Sequence, residues 1–273
     1  MTDIQKPIVQ GVILGTRKAG TTWLYENFKQ NPALMVSKKV KESSFFTGTT
    51  GLSVSDYDNL LPSGETGYAI EVDTSVCYSD AAAGLIEDYN PQMHLVLIFR
   101  EPAAFLQSRF THSQRKGELK QETPKDALLQ NKWLQQELDY VRIAARFAKF
   151  TEAGQLTVLP YELLLDDPEA FHDRVLKGLG APETGFKPST ERVNVARTSS
   201  MPIASVLFSN AAKFARKFGG HRLVNAVKSL GVHSKLEKKA APVTSVSDEL
   251  LSALHEVCPE TVSFHEELVA SIK

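Results

Sequence analysis

The sequence has little cysteine and no long apolar run, and its charges almost cancel. Its two cysteines, Cys77 and Cys258, are too few for a disulfide framework and lack zinc-ligand spacing, so we expect a reducing compartment. The apolar run before Gly15 is too short for a secretory signal or a membrane span. The formal net charge of −1 gives no overall attraction to nucleic acid or to an acidic membrane. These absences predict a soluble, cytoplasmic protein with no nucleic-acid partner.

Apolar residues are plentiful, and they fall into an alternation of two patterns. The chain has 273 residues, 42% of them hydrophobic and 23% charged, which suits one large domain. Continuously apolar or β-branched runs predict strands over residues 8–15, 68–76 and 94–100, and a strand with a turn within 155–168. Helical spacing predicts helices over 20–30, 79–89, 102–116, 125–150 and 169–179. The alternation predicts an α/β fold whose mainly parallel central sheet is covered by helices on both faces.

The last third of the chain has a different character. Residues 185–201 have a loop-like composition, and residues 246–272 predict two short helices around Pro259. Between them, helical spacing over 203–231 accompanies an excess of lysine and arginine that extends to residue 240. Three interpretations of 203–240 stay open: a solvated helix face, a substrate lid for an anionic acceptor, or peripheral contact with an acidic membrane. We therefore divide the single domain 1–273 into a core, 1–200, and a helical part, 201–273.

The stretch GTRKAGTTWL, residues 15–24, follows the first predicted strand and opens the first predicted helix. Its glycine spacing matches the phosphate-binding pattern G-x-x-x-x-G-K-[ST], in which backbone N–H groups and a helix N-terminus hold the anion. The lysine of that pattern is replaced by Thr21, and a lysine stands inside the loop at Lys18. The loop therefore predicts an anion site that differs from an ATP site.

A second anion site is predicted at the end of the central strand. That strand ends in Phe99-Arg100, where a magnesium-dependent nucleotide hydrolase is expected to place an aspartate. An arginine there suits a phosphate held by a forked guanidinium, and Ser108, two helical turns later, offers a hydroxyl to the same anion. The alternative is that Arg100 caps a strand edge and Ser108 is an ordinary helix residue.

Three motifs resemble those of one enzyme family. RKAGTTWL is similar to the 5′-phosphosulfate loop of the sulfotransferases that use 3′-phosphoadenosine 5′-phosphosulfate (PAPS), and FREPAAFLQSRF, residues 99–110, resembles their 3′-phosphate segment. VLPYELLLDDP, residues 158–168, resembles a later family segment. The resemblance covers about residues 8–200. It implies a P-loop NTPase-like three-layer fold, PAPS as co-substrate, adenosine 3′,5′-bisphosphate (PAP) as product, and no metal ion.

The resemblance also implies roles for individual residues of the nucleotide site. Lys18 would stabilise, and could protonate, the bridging oxygen of the phosphosulfate. The residues expected to bind the 5′-phosphate are Ala19, Gly20, Thr21 and Thr22. Arg100 and Ser108 would bind the 3′-phosphate.

Other residues keep two interpretations. Arg17 either contacts phosphate or neutralises the loop, and Tyr161 lies either near the nucleotide or in the core. The segment ERVNVARTSS, residues 191–200, matches the position of a late family loop that closes over the 3′-phosphate. We choose Arg197 as the cation that contacts this phosphate and keep Arg192 as the alternative.

A further motif supplies a candidate general base. KESSFF, residues 41–46, is similar to the Lys-Glu-Pro-x-Phe-Phe segment of the heparan-modifying type of glycan sulfotransferase, in which the glutamate is thought to be the base. That residue is Glu42 here, and Ser43 stands where proline is usual. The alternative for Glu42 is a solvated surface residue. His112, on the predicted helix after Arg100, is the second candidate base.

The sequence therefore predicts a sulfotransferase that moves a sulfuryl group to an acceptor hydroxyl, on a sugar or another alcohol carried by a small molecule or glycan. Two other functions stay open: a kinase-like phosphoryl transferase on the same architecture, and a non-catalytic nucleotide-binding module at a membrane surface. Soluble bacterial sulfotransferases share the motif style. The acceptor's identity and the oligomeric state are not encoded in any of these motifs.

Overall fold

The computed structural model describes residues 8–62, 66–190, 197–199, 237–239 and 247–272. Five strands form one sheet, and all of its pairings are parallel. These strands are β1 (Val9–Ile13), β2 (Leu34–Met35), β3 (Tyr68–Val72), β4 (His94–Phe99) and β5 (Leu156–Pro160). Their spatial order is β2-β3-β1-β4-β5. The carboxyl ends of β1, β3 and β4 therefore lie side by side, at the edge of the sheet where α/β folds bind ligands.

Helices lie on both faces of the sheet. Those that contribute to one apolar cluster are α1 (Thr21–Phe28), α9 (Glu162–Asp166) and α10 (Pro168–Gly178). The opposite cluster takes residues from α3 (Ala82–Tyr89), α4 (Pro102–Arg115), α5 (Pro124–Gln130), α6 (Lys132–Leu138), α7 (Tyr140–Ala145), α8 (Ala148–Glu152), α11 (Asp248–Val257) and α12 (Pro259–Ala270). A short α2 (Val54–Asp58) precedes β3. The predicted α/β fold is confirmed.

The strands form because their apolar residues can be buried on both sides. In β4, Leu95 and Leu97 enter one cluster and Val96 and Ile98 enter the other, as the two-residue period of a strand requires. Continuous apolar runs are typical of strands in such buried parallel sheets. The central position predicted for residues 94–100 is the observed one, since β4 pairs with both β1 and β5.

The single long helix predicted over 125–150 is wrong: the segment forms the four helices α5 to α8. The breaks at Asn131 and Asp139 have non-helical backbone angles, with ψ values of 100° and 73°. Asp139 accepts a hydrogen bond from the N–H of Arg142 and thereby starts α7. Asparagine and aspartate compete for backbone groups in this way, which is why they end helices that apolar spacing would continue.

Parts of the C-terminal third lie outside the described residues. The predicted helix over 203–231 and the candidate residue Arg192 both fall there. Residues Arg197–Ser199 and Glu237–Lys239 form a two-stranded antiparallel pair, β6 and β7, of which the backbone is described. The two helices predicted around Pro259 are confirmed as α11 and α12. Within the described ranges, the helices are all too short or too polar to cross a membrane.

Candidate active site

Residues 15–20, the glycine loop, connect β1 to α1 at the carboxyl edge of the sheet. Gly15 and Gly20 have φ angles of +38° and +78°, a region that side chains with a Cβ rarely adopt. A Cβ on Gly20 would lie 2.7 Å from Leu164 Cδ2 and 3.0 Å from Tyr161 Cε2. Thr16 fixes the start of the loop to β4, because its N–H and its hydroxyl both donate to the carbonyl of Ile98, at 2.7 and 2.9 Å. The loop is thus held against the sheet by its own residues.

The N-terminus of α1 follows the loop directly. The first N–H groups of a helix have no acceptor within the helix, and they carry partial positive charge. Gly20 occupies the capping position and has no side chain to accept from them, and no acidic residue lies in the first turn. The backbone of residues 19–22 therefore offers several donors to an anion, with the hydroxyls of Thr21 and Thr22 beside them.

Lys18 stands at the tip of the loop, with a left-handed φ of +66°. Burial, together with repulsion from Arg115, Arg100, Arg109 and Lys116, lowers the pKa of its ammonium to about 8. Positive charge is therefore concentrated around this side chain. An anion bound here would relieve the repulsion between these cations.

The helix α4 presents one face to the loop. Ser108, His112 and Arg115 follow one another at intervals of four and three residues and so lie on one side of the helix. Burial, followed by repulsion from Lys18 and other cations, lowers the pKa of His112 to about 3. His112 is therefore neutral near pH 7. The structure thus brings two of the predicted site residues, Lys18 and His112, into one electrostatic environment.

Arg100 reaches from the end of β4 to the loop. Its Nη1 donates to the carbonyl oxygen of Lys18 at 3.2 Å, and its guanidinium lies 4.9 Å from the centre of the Tyr161 ring. The hydroxyl of Tyr140 donates to the backbone carbonyl of Arg100 at 2.8 Å. The buried Nε of Arg100 has no hydrogen-bond partner among the described residues. Arg100 and Tyr161 therefore lie together beside Gly20, and one buried donor stays unused.

Arg17 turns away from the tip of the loop. Its Nη1 forms an ion pair with Glu137 of α6, and its guanidinium lies 4.6 Å from the centre of the Tyr78 ring. Glu137 also accepts from Nε of Arg109, at 2.7 Å. One buried carboxylate thus ties the glycine loop to α4. The sequence patterns missed Glu137, since 120 positions separate it from Arg17.

Residues 41–46, the Glu42 loop, contain the other candidate base. The Glu42 carboxylate is exposed and accepts from Lys41 Nζ at 2.7 Å and from the Thr74 hydroxyl at 2.9 Å. Desolvation by nearby atoms opposes its ionisation, but Lys41, the Thr74 hydroxyl and Arg17 outweigh it, and the pKa of Glu42 is below its usual value. Glu42 is therefore ionised at neutral pH. Its hydrogen bond with Thr74, which follows β3, places the carboxylate at the carboxyl edge of the sheet.

Two buried carboxylates lie beneath this loop, and sequence reasoning missed both. Glu71 is 6% exposed and Asp73 is fully buried, at the carboxyl end of β3. Burial, followed by repulsion from Asp73, raises the pKa of Glu71 to about 7. A detectable signal was present, because two acids two residues apart in an apolar strand must share one face of the sheet.

The remaining predicted site residues are placed as follows. Ser108 is half-buried in α4, and Ala19 and Thr21 are buried at the start of α1. Arg197 begins β6, and its side chain lies outside what the structure describes. In the described ranges, no group of three or more histidine, cysteine, aspartate or glutamate side chains is arranged to hold a metal ion.

A comparison of the chain with models of protein families shows the family to which it belongs. The model of the sulfotransferase domain matches residues 10–220, more than half of the chain. The chain belongs to the sulfotransferase family. Sulfuryl transfer is therefore the chemistry of this protein.

A solved structure shares the fold of this sulfotransferase. The chain is similar to the sulfotransferase from Alicyclobacillus acidocaldarius over 80% of this chain and 96% of that chain, with 18% identity and a TM-score of 0.59. It is also similar to the mouse sulfotransferase SULT7A1 complexed with PAP, over 66% of this chain and 65% of that chain, with 14% identity and a TM-score of 0.43. A search of curated proteins gives no match. The first likeness shows a shared fold and leaves the acceptor open.

Proposed function

We propose that this sulfotransferase moves the sulfuryl group of PAPS to the hydroxyl of a sugar or another alcohol, without a metal ion. The observation that carries the proposal is the concentration of cations at the N-terminus of α1. Burial and four neighbouring cations lower the pKa of Lys18 to about 8, at the end of a helix whose own N–H groups attract anions. PAPS is a polyanion with phosphates at both ends of its ribose, which suits two adjoining anion sites.

On the 5′ side, the backbone of residues 19–22 and the hydroxyls of Thr21 and Thr22 would hold the phosphate. In the transfer, the bond from sulfur to the bridging oxygen breaks, and a bond from sulfur to the acceptor oxygen forms. Negative charge develops on the bridging oxygen as it leaves, and the Lys18 ammonium would stabilise it. Charge stabilisation by fixed groups dominates reactions of this type.

On the 3′ side, Arg100 and Ser108 would hold the second phosphate. Arg100 is the stronger candidate on geometry, since its buried Nε lacks a partner among the described residues and its guanidinium is already oriented by Tyr161. Arginine binds phosphate through paired N–H donors in one plane. We also propose that Arg197 contributes to binding this phosphate, from its position in the sequence; the three interpretations of residues 203–240, a solvated helix face, a substrate lid or a membrane contact, stay open.

The acceptor's proton would pass to Glu42, with His112 as the second candidate. Both are in a proton-accepting form at neutral pH, because the pKa of Glu42 is below its usual value and that of His112 is about 3. Burial, followed by repulsion from Lys18, lowers the pKa of His112, so its imidazole is a weak base in the free protein. General-base catalysis typically contributes about 10²–10⁴-fold. E42Q should therefore slow transfer by at least about a hundredfold, and H112N should slow it less.

The testing experiment is transfer from labelled PAPS to a panel of acceptors with EDTA present. The panel holds a desulfated glycosaminoglycan, a hexose, an aliphatic alcohol, a steroid alcohol and a phenol, and transfer is read as a mass gain of one SO₃. Transfer to an alcohol in EDTA supports the proposal. Transfer that requires Mg²⁺, or phosphorylation of the same panel from ATP, favours a kinase-like enzyme, and PAP binding without any turnover favours a binding module.

A further inference from the structure

The Glu42 loop has an unusual backbone for residues that are not glycine. Glu42 and Ser44 have φ angles of +66° and +58°, and Ser43 lies between them. A left-handed conformation at a residue with a Cβ is strained, and it persists only where surrounding contacts impose it. Something outside the loop must therefore hold it in this shape.

The contacts that impose this shape come from β3. The N–H of Ser43 donates to Oε1 of Glu71 at 3.1 Å, and the N–H of Ser44 donates to Oδ2 of Asp73 at 2.6 Å. The other oxygen of Asp73 accepts from the N–H and the hydroxyl of Ser75, at 2.8 and 2.6 Å. Two consecutive N–H groups next to Glu42 are thus bonded to two acids on one face of the sheet.

Burying two carboxylates side by side is costly, so their position calls for a reason. The donors that the structure describes at these acids are backbone N–H groups and hydroxyls. They include the hydroxyl of Tyr57, 3.4 Å from Oε2 of Glu71, and the side chain of Ser43. Buried carboxylates are uncommon and are retained where their hydrogen bonds are needed. Here each acid accepts a hydrogen bond from a backbone N–H of the Glu42 loop, in addition to those from Ser75 and Tyr57.

We propose that Glu71 and Asp73 are positioning residues that fix the left-handed turn at Glu42 and so hold its carboxylate beside Thr74, at the carboxyl edge of the sheet. This inference rests on the proposed function, in which Glu42 accepts the acceptor's proton. Ser43 is part of the arrangement, because a proline at this position would have no N–H to donate to Glu71. A proline would also disfavour α-type backbone at the residue before it.

The first test separates hydrogen bonding from simple structural loss. E71Q retains an acceptor oxygen for the Ser43 N–H and should keep the wild-type kcat, whereas E71A removes the acceptor. D73N turns one of the two required acceptors of Asp73 into a donor. We expect E71A and D73N to lower kcat by about tenfold or more, since misplacing a catalytic group by about 1 Å costs up to about a hundredfold. The affinity for PAP should stay at the wild-type level in all three variants.

A second pair leaves both carboxylates intact and covers the case in which D73N fails to fold. S43P removes the donated N–H, and S43A retains it, so S43P alone should lower kcat by about tenfold. Hydrogen exchange gives a readout that needs no acceptor: the amides of residues 43 and 44 should exchange faster in E71A and D73N than in the wild type. The acceptor for kcat is the fastest alcohol of the panel described above.

Combining these changes with E42Q shows whether the effect passes through Glu42. If it does, D73N should slow the wild type but leave E42Q no slower than before. A slow E42Q with E71A, D73N and S43P all at the wild-type rate would overturn this inference alone. An E42Q enzyme at the wild-type rate would overturn the base assignment, and the positioning role with it.

Discussion

The glycine loop and the Glu42 loop both contain residues with left-handed backbone angles at the carboxyl edge of the sheet. The two loops differ in what stabilises those angles. The glycine loop places glycine at two of its turning points, Gly15 and Gly20, and is fixed by Thr16 to a strand carbonyl. The Glu42 loop has no glycine at its turning points and is held by two buried acids. One loop is shaped by its own residues, and the other is shaped by its neighbours.

The difference follows from what each loop must present. Phosphate is bound by backbone N–H groups, and glycine lets the backbone approach the anion closely. In the proposed function Glu42 is the general base and must present a side chain, so it cannot be glycine even though its backbone angle favours one. The strain is then balanced by hydrogen bonds from outside the loop. Lys18, with a φ of +66°, is the residue of the glycine loop that has a left-handed angle without being glycine, and its side chain is the one proposed to stabilise the bridging oxygen.

The largest effect is expected from removing Lys18. K18A should lower the rate of sulfuryl transfer by about 10²–10³-fold, because the charge that develops on the bridging oxygen loses its stabilising ammonium. Binding of PAP, which lacks the sulfuryl group, should weaken far less. The measurement compares single-turnover transfer from PAPS with the Kd of PAP by calorimetry. K18R retains the charge and is the matched control, and equal losses in rate and PAP affinity would refute the role of Lys18.

The contrast between the two loops also explains how far the sequence could predict the structure. Strands such as β4 were predicted to within a residue because a continuous apolar run has one stable solution in a parallel sheet. The segment 125–150 was mispredicted because apolar spacing continues across Asn131 and Asp139, whose side chains end helices by local hydrogen bonds. The two-residue strand β2 is too short for any periodic pattern.

The candidate site also has parts that the sequence could predict and parts that it could not. The glycine loop was predictable because its conformation is written in its own residues, and Arg100 was found as the end of a recognisable strand. The anchors of the Glu42 loop were not found, because Ser44 and Asp73 are 29 positions apart and their contact depends on the order of the strands. The roles assigned to the site residues, including Lys18, Arg100, Glu42 and His112, stay predictions.

The second largest effect is expected on the free energy of unfolding, when Glu71 beneath the Glu42 loop is replaced by glutamine. The pKa of Glu71 is raised from 4.5 to about 7, so the folded state holds its proton more tightly than the unfolded state. The contribution of Glu71 to stability is therefore complete below pH 4.5 and is lost as the pH rises to about 7. The glutamine side chain introduced by E71Q cannot ionise, so this variant should gain stability over the wild type at pH 8, by at most about 3 kcal/mol.

Urea unfolding of E71Q and the wild type at pH 5 and pH 8 measures this difference. The gain should be small at pH 5 and larger at pH 8, and other titrating groups cancel between the two proteins. If E71Q changed the free energy of unfolding equally at pH 5 and pH 8, ionisation of Glu71 would not destabilise the folded protein.

A third prediction compares replacing a glycine in the glycine loop with introducing a glycine into the Glu42 loop. G20A should destabilise the protein by about 1–3 kcal/mol, because alanine is strained at a φ of +78° and its Cβ would approach Leu164 Cδ2 at 2.7 Å. S44G should change stability by less than about 1 kcal/mol, since relief of strain offsets the greater freedom of the unfolded chain. Both are measured by chemical denaturation. Equal destabilisation by the two changes would mean that the loops do not differ in the way described.

The smallest effect is expected from a change of pH, through the titration of Lys18 at the tip of the glycine loop. In the free protein its pKa is about 8, so the ammonium begins to lose its proton above that pH. Bound phosphate favours the charged form and raises this pKa, so binding of PAP takes up a proton at alkaline pH. The affinity for PAP should therefore fall by about tenfold between pH 7 and pH 9. The phosphates themselves do not contribute in this range, since their second pKa is about 6.

The matched control for this pH dependence is K18R, which stays protonated throughout. Its affinity for PAP should be flat over the same range, and calorimetry in buffers of different ionisation enthalpy should show no proton uptake. A wild-type enzyme as flat as K18R would mean that the cations around the loop do not depress the pKa of Lys18. The charge assigned to the N-terminus of α1 would then be too high, and backbone N–H groups alone would account for the glycine loop's attraction for phosphate.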